Sequence, residues 1–141
     1  MNPYDKLMSR KRTWTPVAPE KGAVKEGAEE TLKRVIALRH MELPVGDFIT
    51  NALSTDIPTS SADLLHSNVR DEEKHDLALG LIANAHGIDA KAEKEAMALR
   101  DAWIAHPDHT VLKAMVAERA IFFVLLPFLR FNGDAAMRTT S

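Results

Sequence analysis

The stretch "HSNVRDEEKHDLALG" (His66–Gly80) decides how the chain is read. Apolar residues recur through it at helical spacing, so one side of a helix should face a core. Positions 65, 68, 72, 75, 79, 82 and 86 advance in steps of three and four, and they hold Leu65, Asn68, Glu72, His75, Leu79, Ile82 and His86. A carboxylate and an imidazole therefore stand where core residues belong. The helix is expected to run from about Ser60 to His86. Pro58 precedes Thr and Ser residues that can cap its first N–H groups, and Gly87 is its stop.

Working outward, the rest of the chain also reads as helices. Residues 23–43 show the 3.6-residue period through Ala28, Leu32, Val35 and Leu38, and Pro44 ends or kinks that helix before a short piece at 45–54. Asp89 caps a third helix that ends at His106-Pro107. Asp108 or Thr110 starts a fourth, which runs to about Phe131 and stops at Asn132-Gly133, with a kink expected at Pro127. Val, Ile and Thr are too scattered for strands, and no repeat appears. The expected fold is all-α, a helical bundle over residues 22–141. Residues 1–21 form an N-terminal arm with three prolines and clustered basic residues; it either drapes over the domain through Trp14 or is disordered.

Composition narrows the function. A chain of 141 residues, 45% hydrophobic and 27% charged, suits one globular domain with a real core. A net charge of −2 argues for neither nucleic acid nor a membrane surface. No apolar run suggests a signal peptide or a membrane span. There is no cysteine, which removes disulfides and thiolate chemistry and fits a cytoplasmic protein.

The fourth helix repeats the anomaly of the second. Val111, Met115, Glu118, Phe122, Leu125 and Leu129 form its stripe, with Glu118 the one charge in it. The first helix ends its stripe on Glu42. Three helices thus each aim one glutamate inward. An isolated buried carboxylate costs several kcal/mol or takes up a proton. A buried arginine could offset that cost, and Arg39, Arg70 and Arg119 lie near in sequence. A metal ion does so more completely. Carboxylates and imidazole without thiolate suit iron or manganese. Glu72 and His75 are three residues apart and project from one helix face.

Glu42, then "EEKH" (Glu72-x-x-His75), then Glu118 resembles the ordered ligand set of ferritin-like di-iron and di-manganese carboxylate proteins. "DIPTSSADLLHSNVRDEEKH" and "AERAIFFVLLPFLRFNGD" are most similar to two helices of the small subunit of class I ribonucleotide reductase, and the likeness covers roughly residues 35–140. The resemblance implies that Glu42, Glu72, His75 and Glu118 ligate iron or manganese. It implies oxygen-activating oxidoreductase chemistry or metal binding, with O2 or a small molecule as substrate. Phe122, Phe123 and Leu79 would line the pocket, and an Asp or Asn would orient His75.

Two departures stand out. The step from Glu42 to Glu72 is 30 residues, and the same step from Glu118 passes Ser141, so the family's second Glu-x-x-His is missing. A homodimer in which each copy supplies ligands is one way to complete the site. The family's radical-bearing tyrosine is also absent: its place is near Leu79, and the single tyrosine is Tyr4. The competing expectation is a metal-free helical interaction or structural protein that kept the bundle. Under it, Glu118 pairs with an arginine, Glu42 is a solvated helix end, and Glu72 and His75 lie on a helix surface. His66 and His86 read as polar boundary residues, and "HPDH" (106–109) as a capped turn.

Overall fold

A computed structural model of the chain describes residues 2–55 and 57–140, apart from the side chains of Phe122 and Thr140. Among the described residues the fold is all-α, a helical bundle without strands. The arm contains helix α1 (Pro3–Met8), started by Pro3 and capped by Asn2, whose Oδ1 accepts from the Tyr4 N–H at 2.9 Å. The helix expected over 23–43 is divided. Gly27 has φ +80°, so helix α2 begins only at Glu29 and spans Glu29–Ala37. A 3-10 turn, Leu38–Met41, follows, and helix α3 then runs Glu42–Leu53. Pro44 explains the break. Its ring excludes a straight α-helix through the residue four before it, yet within the first turn of a new helix its missing N–H costs nothing. Glu42 therefore opens a helix instead of closing one.

Helix α4 spans Ala62–His86 and stops at Gly87, whose φ of +81° is open to glycine. Its start differs from the expected hydroxyl cap: the Ser61 hydroxyl donates to the Pro58 carbonyl instead of accepting from the helix. Helix α5 spans Ala90–Ala105, and Asp89 caps it by accepting from the Ala92 N–H at 2.8 Å. Helix α6 spans Thr110–Asn132 and continues through Pro127. Thr110 starts it, as one of the two expected positions, and His109 caps it: its Nδ1 accepts from the Val111 N–H. The "HPDH" segment is thus a capped turn.

Helix α7 (Ala135–Thr140) was not anticipated. Gly133 makes the corner because a Cβ there would meet the Leu129 carbonyl oxygen at 2.4 Å and the Met137 Cβ at 2.6 Å. Asp134 is 1% exposed and caps the new helix through the Met137 N–H. His86 joins this corner, with Nε2 3.4 Å from Asp134 Oδ2 and its side chain buried. As a whole the residue is of intermediate exposure, at the boundary of the bundle with its ring turned inward. His66 is exposed.

The rod formed by α2, the 3-10 turn and α3 is the spine. Both α4 and α6 pack on α3, while their own backbones scarcely approach one another. Helix α5 lies against α2 and the 3-10 turn, where the Arg39 guanidinium forks onto Glu93 at 2.6 and 2.7 Å and His40 Nε2 adds a contact of 2.6 Å. Two large apolar clusters fill the interior, and a small one of Ala37, Ala92 and Ala96 lies under α5. One joins Leu32, Val35 and Ile36 to Leu79, Ile82, Leu125 and Leu129. The other joins Met41, Val45, Phe48 and Ile49 to Ala114 and Ala117. Small alanines let α6 press on α3 and rotate Met115, expected in the core, out to 63% exposure. Among the described residues no helix is long and apolar enough to cross a membrane.

Candidate metal centre

The level between the two apolar clusters is polar. Glu42 opens α3, Glu72 and His75 lie one turn apart in the middle of α4, and Glu118 lies in the middle of α6. Glu42 and Glu72 are each 3% exposed, so neither the helix surface nor a solvated helix end describes them. One donor atom from each of Glu42, Glu72 and His75 falls within 4.8 Å of the others. His75 Nδ1 is 3.4 Å from Glu42 Oε2 and 3.5 Å from Glu72 Oε2. These are ion-pair distances, longer than a well-formed N–H···O bond. Glu118 joins from the opposite wall, in hydrogen-bond contact with Glu72. All four residues singled out in the sequence therefore meet at one place.

Electrostatics follow from this crowding. Burial alone would lower the His75 pKa, but hydrogen bonds to Glu42 and Glu72 and the charges of both carboxylates outweigh it and raise the pKa to about 10. Glu118 moves up to about 8, through burial first and then through its hydrogen bond to Glu72 and that group's charge; His75 opposes the rise. In the metal-free cluster the imidazole is thus a cation between two anions, and Glu118 holds a proton against Glu72.

The arginines that might have balanced the charge do not. Arg39 is committed to Glu93, while Arg70 and Arg119 are exposed. Arg119 lies over the Phe123 ring, 5.9 Å from its centroid. The donor set, three carboxyls and an imidazole, fits a first-row divalent ion, which would replace the acidic protons on His75 and Glu118.

The surroundings differ from the expected lining. Leu79 borders a cavity of about 140 Å³ over the cluster, together with Leu125 and Leu129. Phe123 does not; it is 73% exposed. The Phe122 side chain lies outside the described residues. Trp14 of the arm stacks on the His75 ring, with centroids 5.4 Å apart and planes at 21°. Lys11 anchors the arm through Asp71 and through Asn68 Oδ1 at 3.0 Å. On the other side of the cluster a cavity of about 540 Å³ lies between α4 and α6; Leu65, Asn68, Asp71, Met115 and Arg119 border it. Trp14 is the site residue whose role the sequence left open. Its being the one tryptophan in a polar arm was the available signal.

Compared with known proteins, the chain matches no family model, no curated protein and no solved structure. The likeness to ferritin-like carboxylate proteins therefore rests on the residues and their ordering.

Proposed function

We propose that this protein binds iron or manganese in a carboxylate–imidazole site of the ferritin-like kind, with Glu42, Glu72, His75 and Glu118 as ligands. One observation carries the reading: two buried carboxyls and one imidazole lie within 4.8 Å of one another, with the half-buried Glu118 beside Glu72 and no arginine or lysine among them. Burying such a set costs several kcal/mol that packing alone would not ask of a bundle. Bound iron would supply redox chemistry toward O2 at this position. The chain's own contribution is separable. Glu42 and Glu72 bring negative charge, His75 yields its ring proton, and Glu118 keeps a proton within reach of Glu72. Leu79, Leu125 and Leu129, with Trp14 above, form the apolar side of the pocket. Oxygen-activating oxidoreduction in the cytoplasm is the activity this set would serve. The lack of a tyrosine near Leu79 argues against a stable tyrosyl radical of the ribonucleotide reductase kind.

The rival, a metal-free structural or interaction protein, draws on the His75 position. An imidazolium between Glu42 and Glu72 already offsets part of their charge. Metal analysis separates the two. Protein purified without chelator, then reconstituted anaerobically with ferrous or manganous ion, should retain metal, and Glu72→Ala with His75→Ala should abolish retention. Wild-type protein that holds no ion after reconstitution would leave the rival standing.

A further inference from the structure

Protein interiors pack closely and leave few voids larger than a water molecule. Here the core is not filled beside the cluster. Leu79 and Ile82 on α4 belong to one apolar cluster with Leu125 and Leu129 on α6, yet a cavity of about 140 Å³ lies among them. Ala78, buried at 4% exposure, borders it with a single methyl group. Walls that face a void forfeit the contacts that would fill it, so packing alone does not account for the space.

The lining is divided. Glu42, His75 and Glu118 border the cavity on the side of the cluster, and the helical residues around the remainder are alanine, leucine and isoleucine, without a hydrogen-bonding side chain. Trp14 is the single lining residue from outside α3, α4 and α6. It belongs to the segment between α1 and α2, which carries no helix and is held to α4 by Lys11 on Asp71 and by the stack on His75.

We infer that this cavity binds a neutral molecule the size of one six-membered ring, its single hydroxyl turned to the carboxyls of Glu42 and Glu118, with Trp14 as the outer wall. The volume sets the size: an apolar cavity of about 150 Å³ accommodates one benzene ring. The lining sets the polarity. A ring covers the leucine walls, and a carboxyl oxygen at the acidic side accepts the O–H. A sugar or nucleotide would leave further polar groups unpaired against leucine and isoleucine. Binding follows from the cavity alone; only the further step, that the bound ring is the substrate, rests on the reading of the cluster as a metal centre.

The test is calorimetric titration of the full chain with phenol and with 4-tert-butylphenol, each with and without Mn²⁺. Phenol should bind with a Kd on the order of 1 mM, within reach of so small a ligand. The bulkier phenol should bind roughly tenfold more weakly, because the cavity has no room for its added carbons. Adsorption to exposed apolar surface grows with apolar area and would rank the two in the opposite order. Ala78→Leu should fill the cavity and weaken phenol by roughly tenfold, with helical circular dichroism verifying the fold. Trp14→Ala lies outside the bundle helices and provides a second variant; removing the outer wall should let the two phenols bind about equally.

No heat with phenol at roughly 10 mM overturns the inference, as does tighter binding of the bulkier phenol or a size limit that Trp14→Ala leaves unchanged. Phenol bound by protein that retains no Mn²⁺ upholds the cavity site and removes the metal reading. Mn²⁺ retained by protein that binds no phenol removes the cavity site alone.

Discussion

Metal binding at this cluster should expel protons, and their number can be worked out from the site. His75 titrates at about 10 because it lies between Glu42 and Glu72, and Glu118 at about 8 because it is buried beside Glu72. At pH 7 both are almost wholly protonated. An ion that takes all four side chains must therefore release about two protons, and its affinity should rise about a hundredfold per pH unit between roughly pH 6 and 7.5. If Glu118 keeps its proton and only His75 ligates, the release is about one and the slope about tenfold.

Calorimetric titration of Mn²⁺ in buffers of different ionisation enthalpy counts the protons directly. Affinity independent of pH across this range would refute the geometry, since it would mean that the ion binds groups already deprotonated. The metal-free protein should show the opposite trend in stability. Both pKa values are raised above their ordinary 6.5 and 4.5, so the stabilisation is complete below those values and is lost as pH climbs through about 8 for Glu118 and about 10 for His75. Its thermal midpoint should fall steadily from pH 6 to pH 10, and added metal should flatten that fall.

Other consequences are checked more simply. Replacing His75 by leucine leaves Glu42 and Glu72 buried without their cation, and the metal-free variant should lose about 3 kcal/mol at neutral pH by urea denaturation. Replacing Glu42, Glu72 and His75 together by leucine should restore or exceed the original stability; a triple variant less stable than the single one would show that the charges are not the burden. Trp14 fluorescence should change when Mn²⁺ binds beside its stacked partner His75, with Trp103→Phe used as the background so that the signal has one source. Identical spectra with and without bound ion would mean that the arm does not rest there. Arg39→Ala leaves the Glu93 carboxylate, held below its usual range chiefly by that guanidinium, with His40 in its place, and should cost about 2 kcal/mol while leaving Mn²⁺ affinity unchanged. Gly133→Ala places a methyl group against a backbone oxygen and should cost about 2 kcal/mol; a neutral effect would mean that the α6–α7 corner yields freely.

The helices of this bundle were legible where pattern and punctuation agree. Gly87 and Asp89 mark the end of α4 and the start of α5 in both sequence and structure, because a left-handed glycine and an Asp cap are local devices. The convergence of Glu42, Glu72, His75 and Glu118 was legible for a similar reason: helical periodicity fixes which side of each rod a residue takes, and a short linker fixes which rods are neighbours.

What escaped depends on distant contacts. Pro44 marked a break, but whether Glu42 closes one helix or opens the next depends on where the 3-10 turn falls. Met115 fitted the apolar stripe, yet Ala114 and Ala117 win the face against α3 because they permit closer packing. Helix α7 and the inward turn of the His86 ring follow from the Gly133 corner, where space and not backbone conformation selects glycine. The seat of Trp14 on His75 joins residues far apart in the chain, and no periodicity encodes it.

The central claim is that Glu42, Glu72, His75 and Glu118 hold a cation. Its most direct measurement is the anomalous difference density of a crystal grown with Mn²⁺, recorded at a wavelength where manganese scatters strongly. The account predicts a peak at the level between the two apolar clusters, bonded to the Glu42 and Glu72 carboxylates and to a ring nitrogen of His75. A crystal with manganese only at surface positions, and with His75 still clasped between two metal-free carboxylates, would contradict it.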